Sequence, residues 1–152
     1  MGQQQLLLLV LGVIIVGIAV AVGLNMFSSS AVDANRDAVT SDLTHLASKA
    51  QQHYKKPTTM GGGNNDFNGF TLGTLDTLNS NGGFRVSPTV VNTKVAAIPA
   101  GVITISATDQ EIFLIGYGTE TGRDGTNLVM AYATITPTGI TTTIVRSEER
   151  RV

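Results

Sequence analysis

Residues 6–24 read LLLLVLGVIIVGIAVAVGL, nineteen apolar or Gly positions in a row, and no charged side chain occurs before Asp33. At 1.5 Å per residue this run makes a helix of about 28 Å, close to the ~30 Å hydrocarbon thickness of a bilayer. Fourteen of the nineteen are Leu, Ile or Val. Each favours the middle of a membrane span by about 0.3 to 0.6 kcal/mol, so insertion is favoured by roughly 4 to 8 kcal/mol in sum. Beyond Asn25-Met26-Phe27 and Ser28-Ser29-Ser30 the pattern changes to a stripe: Val32, Val39, Leu43, Leu46, Ala50 and Tyr54, at gaps of 7, 4, 3, 4 and 4. That spacing draws one apolar face down a helix, with Asp33, Arg36, Asp37, Asp42, Lys49 and Lys55 largely elsewhere. Acids gather early and Lys55-Lys56 come last, as the helix dipole favours, and Pro57 forbids continuation. A helix running from Leu6 to Lys56 is about 76 Å long, far more than a small head can bury.

Residues 57–83 are dense in Gly and Asn, bracketed by Gly61-Gly62-Gly63 and Asn81-Gly82-Gly83, and are read as loop. Phe67, Phe70, Leu72, Leu75 and Leu78 within it predict that the loop folds back over the helix, with the two Phe side chains as anchors. From Phe84 onward the period is two. Ile103 and Ile105 alternate with Thr104 and Ser106; Ile112 and Leu114 face away from Phe113 and Ile115. Val129, Ala131, Ala133 and Ile135 alternate with Tyr132 and Thr134, and Ile140 and Ile144 with Thr141 and Thr143. Thr108-Asp109-Gln110, Gly122-Arg123-Asp124-Gly125 and Pro137-Thr138-Gly139 are short connections, so the strands form an antiparallel meander. A further strand is expected over 90–98, cut from the next by Pro99. The stripe on residues 32–54 is expected to cover one face of this sheet.

The predicted fold class is therefore α+β: a long N-terminal helix, apolar in its first half and amphipathic in its second, packed on a C-terminal antiparallel β-meander head. The expected divisions are an apolar helix over 1–27, its amphipathic continuation over 28–56, the loop over 57–83 and the sheet over 84–152. The last strand leads into Ser147-Glu148-Glu149-Arg150-Arg151-Val152, which reads either as a solvated tail or as an inter-subunit charge contact or a sheet edge kept soluble.

Composition narrows the function classes. Ten Lys and Arg against eleven Asp and Glu give a net charge of −1, with no basic excess to draw nucleic acid or anionic lipid. The absence of Cys removes disulfides, thiolate chemistry and acyl or prenyl anchors, and Leu6 stands where N-myristoylation requires Ser or Thr. Catalytic motifs are missing too. The two His residues, His45 and His53, lie eight apart on one helix with the cation Lys49 between them, and are read as exposed. No Lys-Ser/Thr follows the triple Gly, so it is not a phosphate cradle, and Gly116, Gly118 and Gly122 miss the dinucleotide-binding spacing. Asn64, Asn65, Asp66 and Asn68 offer oxygens but an incomplete calcium pattern, and read as turn formers. No enzyme activity, cofactor, metal or nucleic-acid partner is expected.

The apolar run itself admits several readings. A cleaved secretory signal, ending near Ser29-Ser30-Ala31, fits poorly because the run exceeds the usual 7 to 15 residues and no Lys or Arg precedes it. An ordinary anchor takes its orientation from flanking cations, which are absent here. A buried helix of a soluble domain needs more chain around it than 152 residues supply. Gly12, Gly17 and Gly23 read either as sites that let helices approach closely or let the helix soften, or as the ordinary enrichment of Gly in membrane helices, and no Gly-x-x-x-Gly pair is present.

An apolar N-terminal helix, an amphipathic continuation to about residue 55, a loop and an antiparallel meander together resemble a bacterial type IV pilin, and the likeness spans the chain. The resemblance implies a short basic leader cut by a leader peptidase before Met1, N-methylation of Met1, and residence in the inner membrane before assembly. It then implies extraction by pilus assembly machinery into a cell-surface filament, a homopolymer with helices in the core and heads outward. The chain departs from the family at Gln5, where Glu is usual. It departs again at Val22-Gly23, near the usual helix-kinking Pro, and in having no Cys for the C-terminal disulfide. The physical argument for polymerisation is independent of the resemblance: an uncharged rod of some thirty residues outside a membrane must be covered, and identical rods can cover one another. Contacts that do not close on themselves give a filament. Gln5, Leu6, Leu9, Val13, Ile14, Val16 and Val20 are the candidate filament-core positions. The alternatives are a pseudopilin of a type II secretion-type system and a membrane-anchored surface binding module that does not polymerise.

Overall fold

The computed structural model describes residues 2–91, 93–95, 97–98, 105 and 110–145. They divide into two compact units, Met1–Ala31 and Val32–Val152. The long helix α1 (Gly2–Lys55) contributes to both. The other elements are a 3-10 turn (Thr58–Met60), a one-turn helix α2 (Thr74–Thr77) and four strands: β1 (Gly82–Ser87), β2 (Ile112–Thr121), β3 (Leu128–Ile135) and β4 (Ile140–Val145). The α+β class, with a long N-terminal helix and a C-terminal antiparallel sheet, is as the hydropathy pattern predicts.

In the second unit the stripe on α1 does what its spacing requires. Val32, Val39, Leu43, Leu46 and Ala50 are buried, joined by Ala47, and Tyr54 is partly buried against the same core. The four strands run in the order β1-β2-β3-β4, every neighbouring pair antiparallel. Phe84, Val86, Ile112, Leu114, Ala131, Ala133 and Ile135 point from the sheet into the core shared with α1. The helix can lie close because of Gly116. A Cβ there would stand 2.8 Å from Val39 Cγ1, 3.0 Å from Phe84 Cε1 and 3.2 Å from Leu43 Cγ, so only a bare backbone fits under these side chains. At Gly118 a Cβ would overlap Asn35 Oδ1. Asn35 instead ties helix to sheet, donating to Asn81 O at 2.9 Å and to Thr119 Oγ1 at 3.3 Å while accepting from Glu120 N–H at 3.3 Å.

The sheet is covered on its other face as well, which alternation alone does not reveal. Ile115, Tyr117 and Met130 form a second cluster, with Val91, Val95, Ile98, Tyr132 and Val145 against it. The strand expected over 90–98 is not present among the described residues of that segment. Its described residues run as irregular chain over the outer face, Val95 O accepting from Leu128 N–H at 2.8 Å. Ile98 sits on Gly83, where a Cβ would overlap it. The strand expected over 103–106 lies outside the described residues except for Ile105. That residue is buried and is no strand, its carbonyl accepting from Gly69 N–H at 2.9 Å and its N–H donating to Phe70 O at 3.4 Å. Of the turn at Thr108-Asp109-Gln110 only Gln110 is described, and residues 147–152 lie outside the described residues.

The loop over 57–83 is more ordered than its composition suggests. Past Pro57 it turns back and supplies the donors that the helix end lacks. Gly63 N–H donates to His53 O at 2.8 Å, Asn65 N–H to Tyr54 O at 2.7 Å and Asn64 N–H to Lys56 O at 2.9 Å. Gly61, Asn64 and Asn65 take φ of 76°, 54° and 68°, the left-handed region that Gly and Asn tolerate. Phe67, Phe70 and Leu72 are buried as expected, whereas Leu75 and Leu78 are 90% and 61% exposed. Leu75 lies within α2 and Leu78 caps its C-terminal end; Asp76 holds this turn to α1 through Lys49 Nζ at 2.8 Å, leaving both Leu side chains facing outward. The loop also ends early, since β1 begins at Gly82 and pairs with β2 from Gly82↔Gly118 to Ser87↔Phe113.

Leu43→Ala empties a fully buried site between helix and sheet and is expected to destabilise the head by about 2 to 5 kcal/mol. Gly116→Val, which forces α1 off the sheet, costs about 1 to 3 kcal/mol. Urea unfolding of the full chain in detergent, followed by tyrosine fluorescence, measures both.

Candidate functional site

The first unit is helix throughout its described residues, and each side chain from residue 2 to residue 28 is exposed. Leu, Ile and Val favour this helix only where something apolar surrounds it, because water would face sixteen large hydrophobic side chains between Leu6 and Phe27, each 49 to 76% exposed. Soluble monomers leave a few hundred Å² of contiguous apolar surface at most. By length and composition α1 is apolar enough to cross a membrane, and none of its most apolar window is buried in its own chain. The reading as a buried core helix is thereby set aside.

The candidate core positions are placed as follows. Leu6, Leu9, Val13, Ile14, Val16 and Val20 are 52 to 65% exposed, and Gln5 is exposed with them. Leu6, Leu9, Val13, Val16 and Val20 follow one another at gaps of 3, 4, 3 and 4 and so share a stripe, while Ile14 stands roughly 100° away from Val13 around the axis. The helix has no polar face to oppose them. Met1 lies outside the described residues. At Gly12, Gly17 and Gly23 an added Cβ would meet nothing within 4 Å, so nothing within the chain requires glycine there. The furrow lined by Gln3, Leu6, Leu7, Val10, Leu11 and Ile14 is an open gap between side chains of one helix. Asn25 is a polar position that hydropathy averages hide, flanked as it is by Leu24 and Met26.

Charged side chains are confined to the second unit. Asp33 bridges Arg36 Nη1 at 3.1 Å and Arg123 Nη2 at 3.4 Å. Asp42 Oδ2 accepts from Asn79 Nδ2 at 2.9 Å and Asn81 Nδ2 at 2.8 Å. His45 is exposed, as read from sequence, but His53 is half-buried. Its ring lies 5.5 Å from that of Phe70, and its Nε2 is 3.1 Å from Asn68 O. Phe70, drawn in by the loop, covers it. Asp66 Oδ1 accepts from Asn68 N–H at 3.0 Å, a turn-forming bond. Among the described residues no three His, Asp or Glu groups stand close enough to hold a metal.

Two ionisable groups, one in the β2–β3 turn and one on β2, are displaced. The side-chain amide of Asn127, with backbone N–H groups of Asn127 and Thr126, holds the Asp124 carboxyl below the usual carboxylate range. Burial pushes the Tyr117 phenol up, against the opposing charge of Arg85. The lowered Asp124 stabilises the β2–β3 turn above the ordinary carboxylate pKa of about 3.9, an effect lost as pH falls through its depressed value. The raised Tyr117 favours the fold below about pH 10, and that contribution is lost as pH rises through its elevated value. In urea titrations across pH, Asp124→Asn is expected to flatten the acid limb and Tyr117→Phe the alkaline limb. Tyr117→Phe keeps neutral-pH stability within about 1 kcal/mol of the parent.

No family model, curated protein or solved structure matches the chain.

Proposed function

We propose that this chain is the structural subunit of an extracellular type IV pilus-like filament, polymerising through its apolar N-terminal helix after residence in a membrane. The observation that carries the proposal is a helical unit with no charged and no buried side chain over residues 2–28, in a chain whose second unit folds on its own apolar core. Lipid covers such a surface first, and copies of the same helix cover it once the subunit leaves the bilayer. The layout of a long N-terminal helix and an antiparallel C-terminal head is the one that the resemblance to type IV pilins implies. The exposed Gly12, Gly17 and Gly23 also suit this reading, since a helix that meets other helices gains closer approach where side chains are missing.

Ile14→Asp separates the two environments. A carboxylate near the middle of the run costs about 2.5 to 3.5 kcal/mol, less than the roughly 4 to 8 kcal/mol that favours insertion, so the variant still enters the membrane. In a dry helical core the same charge has no partner. The expected outcome is membrane-bound monomer and no fibres in electron micrographs of sheared surface material, whereas Ile14→Leu assembles normally. Normal fibres from Ile14→Asp would refute the proposal.

A further inference from the structure

Within the first unit, polar side chains bound the apolar run rather than interrupting it. Gln5 precedes Leu6 and Asn25 follows Leu24. Both are exposed, and among the described residues neither amide has a side-chain hydrogen-bond partner. In a bilayer the two ends reach the opposite interfaces, where water satisfies them. In a core of packed helices water is excluded, and each amide must find an acceptor and a donor in protein.

Resting on the filament reading, we infer that Gln5 of one copy pairs with Asn25 of the next, which sets the axial stagger between these two copies at about 20 residues, roughly 30 Å. A primary amide offers one carbonyl and two N–H donors, so a Gln–Asn pair exchanges two hydrogen bonds and satisfies both groups in one contact. The angular positions favour this arrangement over an in-register bundle. Twenty residues at about 100° each bring Asn25 roughly 200° around the axis from Gln5, nearly the opposite side. In a closed bundle of parallel, in-register helices one side faces inward, so one of the two amides is left outside. With the stagger, each copy offers its Gln5 side to one neighbour and its Asn25 side to another. Such a contact is heterologous and repeats without closing. A polar side chain buried in an otherwise apolar helix interface is a known means of fixing register.

The absence of Cys makes the test clean. Assembled full-length material carrying Gln5→Cys and Asn25→Cys together is oxidised, beside the two single variants. The expected result is a ladder of covalent multimers from the double variant and monomer alone from each single one. Dimers from Gln5→Cys alone, or from Asn25→Cys alone, place like residues side by side and overturn the stagger. Intact fibres without any cross-link overturn it too, while leaving the filament reading standing. Parent chain that forms no fibres at all defeats the filament reading itself. Where the Cys variants fail to assemble, Gln5→Leu and Asn25→Leu decide: each alone strands its partner and is expected to reduce fibre yield at least tenfold, and the double variant restores it. Equal loss in the double variant overturns the pairing.

Discussion

What this chain must solve is a helix that water cannot face. From Leu6 to Phe27 it exposes apolar side chains all round, and no charge offers a polar side. An amphipathic helix chooses one neighbour because it has one apolar face. A helix apolar on every side chooses none in particular and is satisfied by any low-dielectric surrounding, whether lipid or other helices. That indifference is what allows a subunit to move from one to the other, and the proposed filament depends on it.

The head has the opposite problem, because it must hold together in water without disulfides. It does so by enclosing its sheet on both faces. On one side Val39 and Leu43 settle onto Gly116; on the other Ile98 rests on Gly83 and Tyr117 is buried beneath the segment that follows β1. The clamps at the edges are polar: Asn35 to Asn81 and Glu120, Gln51 to Thr136, Tyr54 to Gln110. The last turn of α1 is closed by the Gly- and Asn-rich chain beyond Pro57. That loop is therefore a cap built from residues that accept left-handed geometry, a more economical account of its composition than a ligand site.

Much of this was legible in the residues. The stripe from Val32 to Tyr54 specifies a face because its gaps match the helical period, and the structure buries that face. Strands β2, β3 and β4 and their turns are legible for the same reason. Strand β1 is not, because Gly82-Gly83 read as loop when their partners, Gly118 and Tyr117, are far away in sequence. Val91, Val95 and Ile98 suggest a strand by their β-branched character, yet they serve as cover, which requires apolar side chains but no ladder. Leu75 and Leu78 fail from the other side: hydrophobicity alone does not say whether a one-turn helix shows them to the core or to solvent. His53 is half-buried only because Phe70 comes over it, a tertiary event that no spacing on the helix reveals.

The candidate site is legible in kind and illegible in geometry. Uninterrupted hydrophobicity identifies residues 6–24 as an element in need of cover, but a surface without contrast carries little directional information, and its contacts cannot be read from an apolar pattern. What information there is sits at the boundaries and the gaps: amides at Gln5 and Asn25, missing side chains at Gly12, Gly17 and Gly23. Dispersion among apolar side chains changes gradually as one helix slides along another, whereas an amide buried without a partner is penalised at every register that leaves it unpaired. In the proposed filament the few polar atoms, not the many apolar ones, decide where copies stop sliding.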